Sequence, residues 1–199
     1  MVELLGVVGS PSTPSKTATA VDLVLDAAED EYGLDTERVH LGNYDLVTAD
    51  GRTLDAYEGD TADVLDQIVE SEAFVFGTPA YRASYSGLLK NLFDMIPRGQ
   101  WQADVAPLEN TAVGLVATGA TNHHYLVIDT ELRPLMAFFG AYVAGGAYLE
   151  SDQFVDKDEG YDISDEDIRS RLHTLGQATA ELTQVIPECE GLSSLGPQI

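Results

Sequence analysis

The chain has 199 residues, 44% of them hydrophobic, which is enough for the core of one ordinary domain and too many for a disordered segment. Ten Lys+Arg against 34 Asp+Glu leave a formal charge of −24. Such a surface repels phosphate backbones and anionic lipid, so nucleic acid and membranes are excluded as partners; it suits a halophilic protein, since high salt shrinks self-repulsion to a few ångströms. The single cysteine, Cys189, rules out an intrachain disulfide and a cysteine-based zinc cluster. Met1-Val2-Glu3 runs into the first apolar segment without a basic leader, and no apolar stretch approaches the roughly 20 residues of a bilayer span. A cytoplasmic location is expected.

Val2–Val8 is a short, almost continuous apolar run, the pattern of a strand buried on both faces. Ser15–Tyr32 follows as an amphipathic helix, with Ala18, Val21, Val24, Leu25 and Ala28 on one side and acids on the other. Glu37–Leu41 reads as a second strand. Gly42–Gly59 is a long polar loop, after which Asp60 or Thr61 caps a helix carrying Val64, Leu65, Ile68 and Val69. Ala73–Gly77 is the third strand, Ser86–Ile96 a helix, and Pro97–Asn110 a loop in which Trp101 is expected in the core or at an interface. Thr111–Ala117 is the fourth strand, Asn122–Phe139 a helix that must accommodate Pro134, and Ala141–Leu149 the fifth strand. An acidic stretch, Asp152–Asp167, reads as a solvated face, and Ser164–Ile186 forms the last helix.

Five strand–helix alternations define an α/β protein with a parallel sheet covered by helices on both faces. The expected architecture is a flavodoxin-like three-layer sandwich of strand order 2-1-3-4-5, one domain over 1–186, with a flexible tail over 187–199. Ligands in such sheets sit outside the carboxyl ends of the strands, where the strand order reverses.

Three loops reach that position. The first, Gly9 to Thr17, offers amides at a helix start, the hydroxyls of Ser10, Ser12, Ser15 and Thr17, and the cation of Lys16, a donor set for a phosphate monoester. It is neither a Walker loop, since Pro14 stands where the second glycine would be, nor a Gly-x-Gly-x-x-Gly turn. The second, Thr78-Pro79-Ala80-Tyr81-Arg82, makes a flat apolar shelf with backbone donors, suited to a planar ring. The third, Thr118-Gly119-Ala120-Thr121, supplies free amides and hydroxyls. Phosphate seat, shelf and polar rim together outline a pocket for flavin mononucleotide (FMN).

Gly9-Ser10 with Ser15 five residues later, Thr78-Pro79-x-Tyr81, and Gly87-x-x-Lys90-Asn91-x-x-Asp94 resemble the NADPH-dependent FMN reductase family. Ala83-Ser84-Tyr85-Ser86-Gly87, Ala117-Thr118-Gly119 and Asp129-x-x-Leu132-x-Pro134 are similar to the reductases that supply flavin to sulfonate monooxygenases. The resemblance implies that Ser10, Ser15, Lys16 and Thr17 hold the FMN phosphate, Lys16 supplying charge because Ser12 stands where many members carry arginine. It also implies that Pro79, Ala80, Tyr81 and Arg82 flank the isoalloxazine, with Thr118, Gly119 and Thr121 at its pyrimidine end. Where many two-component reductases carry an aromatic residue, this chain has Thr130.

The activity implied is hydride transfer from NADPH or NADH to flavin N5, then to free flavin or another small acceptor, with a monooxygenase partner and a homodimer or homotetramer. Because the cofactor carries that chemistry, no protein acid or base is assigned. A quinone, azo or metal-oxyanion reductase of the same fold stays open, as does a flavodoxin-type electron carrier, although the Thr-x-Thr-Gly-x-Thr loop of flavodoxins is absent. His123-His124 point about 100° apart on a helix and lack a carboxylate at ligand spacing, so no metal site is expected. Lys16, Arg82, Lys90 and Arg98 gather four of the ten cations near the site loops. Arg82, and less directly Arg98, are therefore expected to receive the nicotinamide dinucleotide phosphates, with a second subunit completing the pocket.

Overall fold

The computed structural model, which describes residues 2–100 and 102–197, begins with Leu4–Val8 as strand β1, every residue buried. Trp101 lies outside the described residues. Helix α1 spans Lys16–Tyr32; Ser15 caps it by accepting the amide of Ala18, and Gly33, in the left-handed region at φ 68°, ends it. Strand β2 (Thr36–His40), helix α2 (Gly59–Glu70), strand β3 (Phe74–Pro79), helix α3 (Gly87–Phe93), strand β4 (Ala112–Gly119), helix α4 (Arg133–Phe139) and strand β5 (Tyr142–Glu150) follow. All five strands are parallel in the order β2-β1-β3-β4-β5, as the alternating sequence pattern implies.

The strand residues alternate between two cores. Leu5, Val7, Phe74, Phe76, Val113 and Leu115 pack with residues of α2, α3 and α4 on one face. Leu4, Val8, Val75, Ala112 and Val116 pack against α1 and α5 (Glu166–Val185) on the other. This period of two places one apolar set on each side of the sheet, so both helical layers are required to keep it dry. No helix among the described residues is long and apolar enough to cross a membrane.

Four local expectations change. Helix α2 starts at Gly59 after Glu58, because the side chains expected to cap it serve the preceding loop: Asp60 accepts the amide of Asp45 at 2.7 Å and Thr61 that of Val47 at 3.0 Å. The segment Asn122–Phe139 is not one helix. A 3₁₀ turn at Asn122–His124 and a widened π turn at Ile128–Leu132 precede α4, and Pro134, which has no N–H to give to the preceding turn, sits in the first positions of α4. The acidic stretch folds into an antiparallel hairpin, β6 (Phe154–Lys157) and β7 (Gly160–Ile163). Beyond Pro187, a short helix α6 (Glu190–Ser194) forms, and the Gly196 amide donates to Asn110 Oδ1 at 2.9 Å.

Candidate active site

A crevice of about 430 Å³ opens at the carboxyl ends of β1, β3 and β4, within the roughly 300–1,000 Å³ typical of small-ligand sites. Every residue expected to bind the cofactor lines it except Thr121. Thr121 instead caps the 3₁₀ turn, its hydroxyl 3.0 Å from His123 Nδ1, while its carbonyl accepts from the Tyr148 hydroxyl at 2.5 Å. A larger hollow of about 830 Å³ lies elsewhere, between Thr53–Tyr57 and the loop near Gln100–Asp104. Its described lining contains Asp55, Asp66 and Asp104 and no Lys or Arg, a poor seat for an anion.

One end of the crevice is built by the start of α1. The amides of Lys16 and Thr17 have no partner within the helix, as at any helix start, and they carry the positive end of its dipole. Thr17 Oγ1 lies 2.7 Å from Thr118 Oγ1 in a buried contact that ties this helix to the end of β4. Ser10 Oγ accepts the amide of Ser12 at 3.2 Å, which curls the loop. Lys16 lines the crevice, but its Nζ donates to the Ser151 carbonyl at 3.0 Å and stands over the rings of Phe154 and Tyr161 at 5.4 and 5.3 Å.

Behind this loop the buried ring of His40 places Nε2 2.9 Å from the Ser10 carbonyl oxygen. A carbonyl only accepts, so Nε2 carries the proton. Burial lowers the His40 pKa below 6.5, the Ser10 contact opposes that, Arg38 lowers it further and Asp22 raises it. The unfolded chain therefore binds more protons than the folded one just below pH 6.5, and His40 makes stability fall as pH drops through that window. The difference in urea midpoint between wild type and His40→Gln is expected to shrink between pH 7.5 and 5.5. Parallel pH profiles would exclude His40 as the titrating group.

The shelf is a two-residue reverse turn. Tyr81 and Ser84 exchange backbone hydrogen bonds at 2.8 and 3.1 Å, with Arg82 and Ala83 between them at φ 52° and 68°. Both are in the left-handed region without being glycine, a conformation costing on the order of 1 kcal/mol per residue. Such a turn pushes Tyr81 and Arg82 outward beside Pro79 and Ala80, and the Ala80 amide pins it to β4 through the Thr118 carbonyl at 2.7 Å.

The sequence motif that follows the turn is scaffold. Ser86 caps α3 by accepting the Leu89 amide at 3.1 Å, and it donates to the Gly9 carbonyl at 2.6 Å, locking the first loop to the second. Asn91 accepts from the Ala49 amide at 2.9 Å and donates to the Val47 carbonyl at 2.8 Å, holding down the long loop. Two of the four gathered cations are occupied elsewhere: Lys90 pairs with Asp94, and Arg98 stacks on Phe138 with its guanidinium carbon 3.8 Å from the ring centroid, lining a different hollow. Arg98 is thus removed from the nucleotide role. Arg82 lines the crevice and makes no ion pair with the described residues.

Sequence reasoning missed the far wall. Phe154 and Tyr161 line the crevice from the hairpin, Ser151 from the turn before it, and His124 from the 3₁₀ turn after β4, with its Nδ1 buried and without a partner among the described residues. The β-prone pair Phe154-Val155, a polar turn ending at Gly160, and the alternation Tyr161-Asp162-Ile163 were the available hairpin signal. The unpaired amides at α1, the hydroxyl cluster, the apolar shelf and the orphaned ring nitrogen fit the phosphate, ring system and polar edge of FMN.

A parallel sheet of this order, with unpaired helix amides at one strand end and a proline–tyrosine turn at the next, defines a flavodoxin-like α/β protein with a crevice where the strand order reverses. The sequence profile described as NADPH-dependent FMN reductase matches residues 2–156, and the chain belongs to that family. It is 35% identical over 176 residues to an NAD(P)H-dependent FAD/FMN reductase of Geobacillus thermodenitrificans, covering 87% of this chain and 89% of that one. It is 30% identical over 184 residues to the NADH-dependent FMN reductase SfnF of Pseudomonas fluorescens, covering 91% of each. The solved structure of an apo NADH:FMN oxidoreductase, EMOB, shares the fold with a TM-score of 0.71 at 24% identity, covering 91% of this chain and 89% of that one.

Proposed function

We infer that this chain is an NAD(P)H-dependent FMN reductase whose site is the crevice at β1, β3 and β4. The observation that carries the reading is the convergence there of the unpaired α1 amides with the Pro79–Arg82 shelf. Bound FMN would supply the redox chemistry, a two-electron exchange between the nicotinamide and free flavin or another small acceptor. Ser10, Ser12, Ser15 and Thr17, with the Lys16 amide, hold the phosphate. Pro79, Ala80 and Tyr81 exclude water from one side of the ring, and Thr118 and Gly119 border its polar edge.

Tyr125 and Leu126, beside the 3₁₀ turn whose His124 lines the crevice, and Phe138 near the far end of α4 are 58, 48 and 52% exposed, an apolar surface that suits a second copy of the chain in a homodimer or homotetramer. A flavin-dependent monooxygenase as recipient of the reduced flavin, and a cytoplasmic setting of high salt, complete the reading. Steady-state turnover with NADH and NADPH against free FMN, a quinone and ferricyanide tests it. Absence of turnover with either nucleotide, beside a protein that retains FMN, would leave an electron carrier.

Arg82 receives the nucleotide phosphates in this reading. Losing one charge-assisted contact costs about 1.5–3 kcal/mol, so Arg82→Ala should raise KM for NADPH roughly ten- to a hundredfold at low salt. Its salt dependence should be shallower than the wild type's, the two converging as screening grows. A KM equal to wild type at every salt concentration would assign Arg82 to the turn alone.

A further inference from the structure

The hairpin closes one end of the crevice and separates it from a second hollow. Phe154 and Tyr161 meet edge to face, centroids 6.5 Å apart, and together cover Lys16 Nζ. Ser151, at the hairpin's entry, accepts from Lys16 at 3.0 Å and donates to the Gly119 carbonyl at 3.3 Å, fastening the hairpin to the start of α1 and the end of β4. At the tip, the backbone of Gly160 comes close to the phosphate loop: a carbon built on its Cα would lie 3.6 Å from Pro14 Cβ. The base is held by Arg169 Nε, which donates to the Ile163 carbonyl at 2.6 Å.

Beyond this wall lies another hollow of about 430 Å³, and Pro14, Ser15 and Tyr161 line both spaces. The second hollow is acidic. Arg38 on its rim is paired with Asp22, and Asp162 is paired with Lys157 and Arg169, while Asp26 and Glu159 make no ion pair with the described residues. Burial and the neighbouring carboxylates of Asp22, Asp30 and Glu29 hold the Asp26 carboxyl above the usual range, as expected in a negative field.

Resting on the phosphate seat inferred above, we propose that the hairpin makes it a seat for a terminal monophosphate, with Tyr161 and Pro14 as the residues that select FMN over FAD. The FMN phosphate ends at the first turn of α1. The FAD chain continues through a second phosphate to adenosine, and past Pro14 and Tyr161 it meets the acidic hollow. Steric closure and charge therefore act against the same ligand, which is how a site discriminates by obstruction as well as by attraction.

Quenching of flavin fluorescence by the full-length apoprotein, at one fixed salt concentration, gives Kd for FMN, FAD and riboflavin. Wild type is expected to bind FMN at least 100-fold more tightly than FAD, and riboflavin weakly. Tyr161→Ala should narrow the FMN/FAD ratio at least tenfold. Glu159→Lys, which lines only the second hollow, should narrow it severalfold through tighter FAD binding with FMN within about twofold of wild type. If Tyr161→Ala does not fold, the wild-type ratio and Glu159→Lys decide the matter. FMN and FAD bound within threefold of each other with riboflavin much weaker, or an unchanged ratio in the folded variants, would overturn the wall and keep the seat. Riboflavin bound as tightly as FMN would remove the phosphate seat itself.

Discussion

Ser15→Asp is expected to weaken FMN binding about a hundredfold while leaving the apoprotein as stable as wild type. Ser15 does two jobs in the inferred site: its side chain accepts the Ala18 amide as the cap of α1, and it borders the anion seat. Aspartate caps a helix as well as serine does, so the fold keeps its capping interaction. The seat instead acquires a carboxylate facing a phosphate. At about 5 Å and an effective dielectric of about 20, one such like-charge pair costs roughly 3 kcal/mol, which is about a hundredfold in Kd. Fluorescence titration of the apoprotein reads the affinity and thermal melting reads the fold. An FMN Kd within threefold of wild type, in a variant that melts normally, would move the phosphate away from α1.

Much of this geometry was legible because buried parallel strands leave a simple trace. Leu4–Val8, Phe74–Phe76 and Val113–Ala117 are apolar on both faces, which only a strand covered on both sides tolerates. With order 2-1-3-4-5 the loops after the first, third and fourth strands must converge, so the walls those loops supply followed from topology, and the assignment of their residues to parts of FMN from the family resemblance. The details lost were those in which a side chain had two plausible uses. Asp60 and Thr61 have the chemistry of helix caps, yet their oxygens bind the amides of Asp45 and Val47. Arg82 and Ala83 adopt left-handed backbone with no Gly or Asn to announce it. Asn122–Phe139 has helical periodicity throughout, and periodicity cannot tell an α turn from the π turn at Ile128–Leu132. In the hairpin, charges flank Phe154 and Tyr161 closely enough to resemble a solvated face; the rings are drawn inward by Lys16, 138 and 145 residues away in the chain.

A second pair of substitutions separates the seat from the scaffold that carries it. Gly77 in β3 lies under the first turns of α1: a Cβ there would stand 2.4 Å from Val21 Cγ2 and 3.1 Å from Thr17 Cγ2. Valine is branched at Cβ and cannot swing clear, so Gly77→Ala must lift the helix where its amides face the crevice. Gly176 in α5 makes an equally tight approach further along the same helix, with a Cβ 2.4 Å from the Val24 carbonyl and 2.8 Å from Ala27 Cβ. Overpacking of either kind costs about 2 kcal/mol, or roughly 4–8 °C in Tm for a domain of this size. The two should nevertheless diverge in FMN binding. Displacing Thr17 disturbs its 2.7 Å contact with Thr118 and moves the seat by more than the roughly 0.5 Å that a preorganised site tolerates, so Gly77→Ala should lose about tenfold in FMN affinity. Gly176→Ala pushes on the helix about two turns downstream and should keep the wild-type Kd within about twofold. Parallel loss of affinity in both variants would mean that FMN responds to the stability of the whole α1 layer, and equal retention in both would place the phosphate elsewhere than the first turn of α1.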